Sequence, residues 1–227
     1  MPIPVLTRSM AAPADVLDPA VFLVPHADDE TLTMGPAIEE QLNAGRYVLV
    51  VLVTDGRASG VRALTGLSHE EFSLARDREF LAACAALGVP QEQVFLARCV
   101  DGRLDAALAA CVVGTWVRLF PGGAFRTTTW TDAHADHAAL GAALRDLAPL
   151  VPGGDVRFYV KPPEWDSPVA RPPVREERTS TRRYLAACDE YARVDHAAGR
   201  WGIGQLSVAG SFALRRASDA SRWHGLA

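Results

Sequence analysis

Two short segments hold most of the side chains in this chain that could do chemistry: Pro25-His26-Ala27-Asp28-Asp29-Glu30 and, far downstream, His134-Ala135-Asp136-His137. Histidine and carboxylate donors suit a divalent cation, and a hydrolytic zinc site typically takes three protein ligands. His26 and Asp29 sit three residues apart at an expected strand-to-helix turn, so both can reach one ion. His137 is the best candidate for a third ligand, one helical turn beyond His134. Asp28 then stays free as a general base. His134 can stabilise an oxyanion or protonate a departing amine. Asp136 is suited to orienting a histidine from behind. A zinc ion there would polarise a carbonyl and lower the pKa of bound water to about 7. The set suits metal-assisted hydrolysis of an amide, provided the two segments meet in space.

The elements that must bring them together are readable in outline. Residues 20–24 form an apolar run ending at Pro25, as a buried parallel strand would. A helix is expected over 31–45, closed by Gly45, and a second apolar strand over 47–53, broken by Thr54-Asp55-Gly56. Residues 57–68 read as a loop. Ser68 with Glu71 forms a capping-box pattern that opens a helix running to Leu87 and stopping at Gly88. A third strand is expected over 94–97 and a helix over 104–119, ended by Pro121-Gly122-Gly123. A helix over 135–147, a strand over 156–160, a proline-rich surface loop over 162–178, a helix over 180–196 and a late strand within 205–215 complete the reading. Residues 1–18 read as irregular.

Strands alternating with helices predict an α/β fold: a mostly parallel sheet with helices on both faces, in one domain spanning 1–227. Ligands in such sheets bind beyond the carboxyl ends of the strands. His26, Asp28, Asp29, Asp55 and Asp101 all follow expected strands, so they should gather along one edge.

Composition narrows the function further. The formal net charge of −4 offers no basic surface for nucleic acid. No apolar run approaches the roughly 20 residues that span a bilayer. Cys84, Cys99, Cys111 and Cys188 lack paired spacing and read as reduced thiols in apolar surroundings, so a cytoplasmic protein is expected.

The two chemical segments also resemble a family. Pro25–Glu30 is similar to the His-Pro-Asp-Asp-Glu signature of the LmbE-like, or PIG-L, deacetylases, and His134–His137 looks like that family's His-x-Asp-His. Weaker matches are Thr54-Asp55-Gly56, Arg76 and Glu79 in the helix ending Ala86-Leu87-Gly88, and Asp101-Gly102. The agreement spans roughly residues 20–145. The resemblance implies a Rossmann-like three-layer sandwich and a zinc-dependent de-N-acetylase acting mostly on N-acetylglucosamine-type sugars or conjugates. It assigns His26, Asp29 and His137 to zinc, Asp28 as general base and His134 as partner of the charged intermediate. Asp101 would lie near sugar hydroxyls, and Arg57 is a looser substrate contact. Two departures stand out. Ala27 replaces the usual proline, and Asp132 occupies the substrate-facing position where some members carry a carbonyl-polarising tyrosine.

Other readings remain beside this one. They are a zinc amidase acting on a thiol conjugate or other acylated metabolite, and a sugar-binding module without turnover, which the loss of tyrosine at Asp132 would favour. The donor set also accepts iron(II) in place of zinc. A Rossmann-type nucleotide binder is disfavoured, because no GxGxxG follows the first strand. Blander roles suit several residues: Asp55 and Asp101 in turns, Arg76 and Glu79 as a pair on a helix, and Arg175–Arg178 as a solvated run. His69, His196 and His224 fit the surface, and Trp130, Trp165 and Trp201 fit either a sugar face or packing.

Overall fold

The computed structural model describes residues 18–226, so all of the irregular segment expected at 1–18 except Asp18 lies outside the described residues. In chain order the larger elements are β1 (Ala20–Val24), α1 (Asp29–Leu32), α2 (Gly35–Asn43), β2 (Val48–Thr54), α3 (Arg62–Thr65), α4 (His69–Leu87), β3 (Val94–Cys99) and α5 (Ala106–Leu119). They continue with β4 (Ala124–Thr128), α6 (Ala135–Leu147), β5 (Val156–Val160), β6 (Arg175–Arg178), α7 (Arg183–Ala192), β7 (Val194–Asp195), β8 (Arg200–Trp201), α8 (Ile203–Arg216) and β9 (Ala220–His224).

The main sheet has seven strands in the order β3-β2-β1-β4-β5-β9-β6. The first five are parallel neighbours; β9 runs antiparallel to both β5 and β6. The order 3-2-1-4-5 is that of a doubly wound Rossmann-like sheet, whose direction of winding reverses between β1 and β4. His26 follows β1 and His134 follows β4, so the two chemical segments leave the sheet on either side of that reversal.

Strand alternation divides the core in two. Phe22, Val24, Val50 and Leu52 pack under Ile38, Phe80, Leu87, Tyr191 and Phe212 on one face. Val21, Leu23, Val51 and Val53 pack under Val113, Trp116, Leu140 and Leu144 on the other. A three-layer α/β arrangement results. Because both faces are covered, β1 and β2 are apolar without a break.

Local chemistry fixes the ends of the helices. Ser68 accepts from the Glu71 amide and the Glu71 carboxylate answers the Ser68 amide, the expected capping box; Gly88 ends α4 at φ 94°. His134 caps α6, its Nδ1 accepting from the Asp136 amide at 3.3 Å.

Several expectations need correction. The helix expected over 31–45 is two helices with a break at Thr33-Met34, because α1 turns to carry Asp29. The loop at 57–68 contains α3. β4, a central strand, was not expected: its Arg126 is fully buried, with Nη2 2.9 Å from Asp155 Oδ2. The late strand expected within 205–215 is helix α8, and the real last strand is β9. Arg175–Arg178 is solvated as expected at Arg175, Glu176 and Arg178, but it is edge strand β6 rather than loop, with the buried Glu177 accepting from Tyr159 Oη at 2.7 Å and Arg157 Nη1 at 3.1 Å. His224 is buried, its Nε2 bonded to Thr129 Oγ1 at 2.8 Å. All four cysteines are unpaired, three buried and Cys111 half-buried. No helix among the described residues is long and apolar enough to cross a membrane.

Candidate active site

The turn after β1 presents the first segment. Asp28 sits at φ 116°, in the left-handed region that costs a non-glycine residue about 1–3 kcal/mol. Two contacts hold it there. The Arg76 guanidinium bonds the Ala27 carbonyl and, through Nη2 at 2.8 Å, Asp28 Oδ2. Arg76 is itself buried, and its Nη1 lies 2.7 Å from Glu79 Oε2.

His26 and His137 come from positions 111 residues apart and meet with Nδ1 of one 2.9 Å from Nε2 of the other. Asp29 Oδ2 lies 3.0 Å from His137 Nε2 and 3.7 Å from His26 Nδ1. Three donor atoms therefore converge on one point. Their separations bracket the edge of a tetrahedron with bonds of about 2.05 Å, roughly 3.3 Å.

The rear of each imidazole is occupied as well. His26 Nε2 is 3.0 Å from Asp101 Oδ1 and 3.2 Å from Asp136 Oδ2. His137 Nδ1 is 3.0 Å from Asp132 Oδ2. A carboxylate behind each ring fixes its orientation and makes it a better ligand, as in carboxylate–histidine–zinc triads. The donor set thus fits a divalent cation. Two other groupings are close enough to share an ion: His26 with Asp101 and Asp136, which meets the opposite ring nitrogen, and the all-histidine set of His26, His134 and His137. The all-histidine set lacks a carboxylate donor and the set with Asp101 and Asp136 has a single imidazole, whereas Asp29 is buried against both His26 and His137.

Charge follows this geometry. Burial works against Asp29, but the His137 charge and hydrogen bonds from both histidines hold its carboxyl far below the usual range. Burial would likewise lower His137, yet Asp29 and Asp132 outweigh it and raise the ring to about 9. Burial opposes His26 too, and bonds to Asp101, Asp136 and Asp29 raise it well above its ordinary value. These directions belong to a cluster in which shared protons neutralise the carboxylates. A bound dication would take the place of those protons and release them. Asp28 behaves differently: burial lifts it to about 6 against the opposing pull of Arg76. His134 is lowered by burial and by the neighbouring charges of His26 and His137.

A cleft of about 610 Å³ opens beside these groups, lined among others by His26, Asp28, Asp29, Asp101, His134 and His137. Of the sequence-derived candidates, Asp136, Asp132 and Arg57 do not line it. Asp136 is buried, accepting from the Gly102 amide at 2.8 Å and the Leu104 amide at 3.2 Å. Asp132 is buried behind His137, and its Oδ1 is held by Lys161 Nζ at 2.6 Å. Arg57 folds back on Asp55, Nε to Oδ2 at 2.6 Å. Asp101 reaches the cleft but is tied to His26 and to the Ala58 amide at 3.0 Å.

Sequence reasoning missed Lys161 and the contact between Arg76 and Asp28. Both depend on partners far away in the chain. Only the position of Lys161 directly after the β5 run offered any signal. Trp130 packs on Phe158 and His224, and Trp201 stacks on His196.

The fold is shared with solved structures of several activities. A40926 pseudoaglycone deacetylase Dbv21 superposes with a TM-score of 0.68 at 21% identity, covering 92% of this chain and 97% of that one. N,N'-diacetylchitobiose deacetylase from Pyrococcus horikoshii gives 0.64 at 15% identity, covering 91% and 83%. The 4-carboxy-2-hydroxymuconate hydratase GalB from Pseudomonas putida gives 0.61 at 17% identity, covering 91% and 94%. No curated protein matches the sequence. The family model described as GlcNAc-PI de-N-acetylase matches residues 21–148, from β1 through the helix that carries His137, and the chain belongs to that family, PIG-L.

Proposed function

We propose that this protein is a metal-dependent de-N-acetylase that hydrolyses the acetamide of a small N-acetylated amino sugar or sugar conjugate. One observation carries the reading: His26 Nδ1, Asp29 Oδ2 and His137 Nε2 converge in the wall of a cleft that Asp28 and His134 also line. Those three residues would hold the cation, zinc by preference or iron(II). When bound, the cation supplies Lewis-acid polarisation of the substrate carbonyl and lowers the pKa of water.

The chain's own groups do the rest. Asp28, kept in place by Arg76 and made more basic than an ordinary carboxylate by burial, takes the proton of the attacking water. His134 lies at the cleft surface beside the rings of His26 and His137. There its neutral ring, with Nδ1 accepting from the Asp136 amide, offers Nε2–H to charge developing on the carbonyl oxygen, and the proton that Asp28 has taken from water passes to the leaving amine. Water and the amide yield acetate and the free amine. Asp136 and Asp132 position His26 and His137 from behind. Asp101 also faces the cleft, where it is within reach of a sugar hydroxyl.

Fold alone does not select this chemistry, since the deacetylases and the hydratase share it. The test is acetate release from N-acetylated sugars, nucleotide sugars and cysteine conjugates, with and without a chelator. Release that chelation and Asp28→Asn both abolish supports the proposal. Release from cysteine conjugates alone favours the thiol-conjugate amidase. No release from any compound by metal-loaded protein would overturn the enzyme reading in favour of a binding module.

A further inference from the structure

The family match ends at residue 148, but the cleft does not. Ser207, Val208 and Ser211 of α8, with Pro162 and Pro163 after β5, complete its wall. We propose that α8 selects the substrate: Ser207 and Ser211 hydrogen-bond neutral hydroxyl groups of the sugar bearing the acetamide, and Val208 limits its bulk. This rests on the de-N-acetylase reading of the site.

α8 is clamped at both ends to the elements that carry the proposed chemistry. At its start, Glu79 accepts from the Ile203 amide at 2.7 Å and the Gly204 amide at 3.2 Å. The same Glu79 pairs with Arg76, which holds Asp28. A Cβ at Gly204 would lie 2.5 Å from the Tyr191 ring and 3.0 Å from Arg76 Nη1, so only glycine lets the helix approach this closely. At its far end, the buried Arg215 donates to the Leu32 carbonyl at 3.3 Å, at the end of the helix that carries Asp29.

Between the clamps the helix breaks. Val208 has φ −141° and ψ 47°, and this break falls where α8 borders the cleft. Ser207 and Ser211 flank it. Neither hydroxyl is engaged by another group among the described residues, unlike Thr115, which bonds the carbonyl one turn back in α5. The stretch Ser207-Val208-Ala209-Gly210-Ser211 carries no charge. The cationic Lys161 nearby is already paired with Asp132 and Glu164. Two free hydroxyls that both donate and accept, on an uncharged wall, match a neutral polyol rather than a phosphate or carboxylate.

The experiment is calorimetric titration of glucosamine, the free amino-sugar product, into metal-loaded wild type, the double variant Ser207→Ala with Ser211→Ala, and Val208→Phe, alongside acetate release from N-acetylglucosamine. The double variant should bind about tenfold more weakly and raise KM more than it lowers kcat, as expected for two neutral hydrogen bonds. Val208→Phe should exclude the sugar, with metal content unchanged. Equal affinity in wild type and double variant, or no binding to wild type, overturns the role of α8. If wild type binds glucosamine through these serines yet releases no acetate from N-acetylglucosamine or from any of the N-acetylated sugars, nucleotide sugars and cysteine conjugates, the de-N-acetylase reading fails and α8 stands as a hydroxyl-binding wall.

Discussion

Asp132 places its two carboxylate oxygens on different partners, Oδ2 on His137 Nδ1 at 3.0 Å and Oδ1 on Lys161 Nζ at 2.6 Å. Asp132 stands where some members of the family carry a carbonyl-polarising tyrosine, and here both oxygens of the acid are engaged, one of them by the imidazole of His137. Asp132→Asn should therefore weaken metal binding about 10–100-fold. Competition with a fluorescent chelator would measure this, and unchanged affinity would remove Asp132 from the support of His137.

Arg76 touches Asp28, the Ala27 carbonyl and Glu79 at once, which needs a planar fork of donors. Arg76→Lys keeps the charge and loses the fork. The expected result is a fall in kcat of at least tenfold with stoichiometric metal retained, read from steady-state rates and elemental analysis. A kcat equal to wild type would show that Asp28 holds its strained backbone without help.

Gly141 lets α6 lie against the chain leaving β4. A Cβ there would meet the Trp130 nitrogen at 2.5 Å and the Thr128 oxygen at 2.6 Å, both backbone atoms that cannot step aside. Gly141→Ala should cost about 1–3 kcal/mol and displace the helix that carries His137. Gly210→Ala in α8 meets open space and should leave the melting temperature level or higher. A Gly141→Ala protein that melts with wild type would contradict the close approach.

Asp155 supplies a pH-dependent contribution to stability. Burial works against its charge, but the Arg126 guanidinium and, less strongly, Arg157 hold the carboxyl below its ordinary value. A depressed carboxylate stabilises the fold above its unfolded pKa, about 3.9, and the benefit disappears as pH falls through the lower folded value. Asp155→Asn should be less stable than wild type at pH 7, and the gap should close below pH 4. Urea midpoints across that range would measure it, and a constant gap would contradict the ion pair's contribution.

How much of this was legible in the sequence depends on whether the signal was local. β1, β2 and β5 are short apolar runs because both faces of the sheet are covered, and α4 announces itself by Ser68 and Glu71. The two chemical segments were legible because each gathers histidines and carboxylates within a few residues; that they leave strands on either side of the reversal in winding is a property of the folded sheet. β4 was not. In Ala124-Phe125-Arg126-Thr127-Thr128, the polar groups are satisfied by distant partners: Thr127 Oγ1 by the Leu23 carbonyl at 2.8 Å, and Arg126 by Asp155. β9, with Ser221, Arg222 and His224, was hidden for the same reason. Its pairing is made by backbone, and His224 becomes buried only once Thr129 and Trp130 lie over it. The second layer around the proposed metal ligands was equally silent, because Lys161 meets Asp132, and Arg76 meets Asp28, only after the sheet has formed.

β6 joins the main sheet solely through β9, which follows it by some forty residues and lies between it and β5. The chain between the two strands contains α7 and α8. The pairing therefore works as a clasp. The pairing of β9 with both β5 and β6 ties down the two ends of the segment that carries the serine-bearing wall of the cleft. The residues proposed to hold the metal thus lie on the parallel part of the sheet, whereas the wall proposed to read the substrate lies on the chain that joins the antiparallel strands β6 and β9.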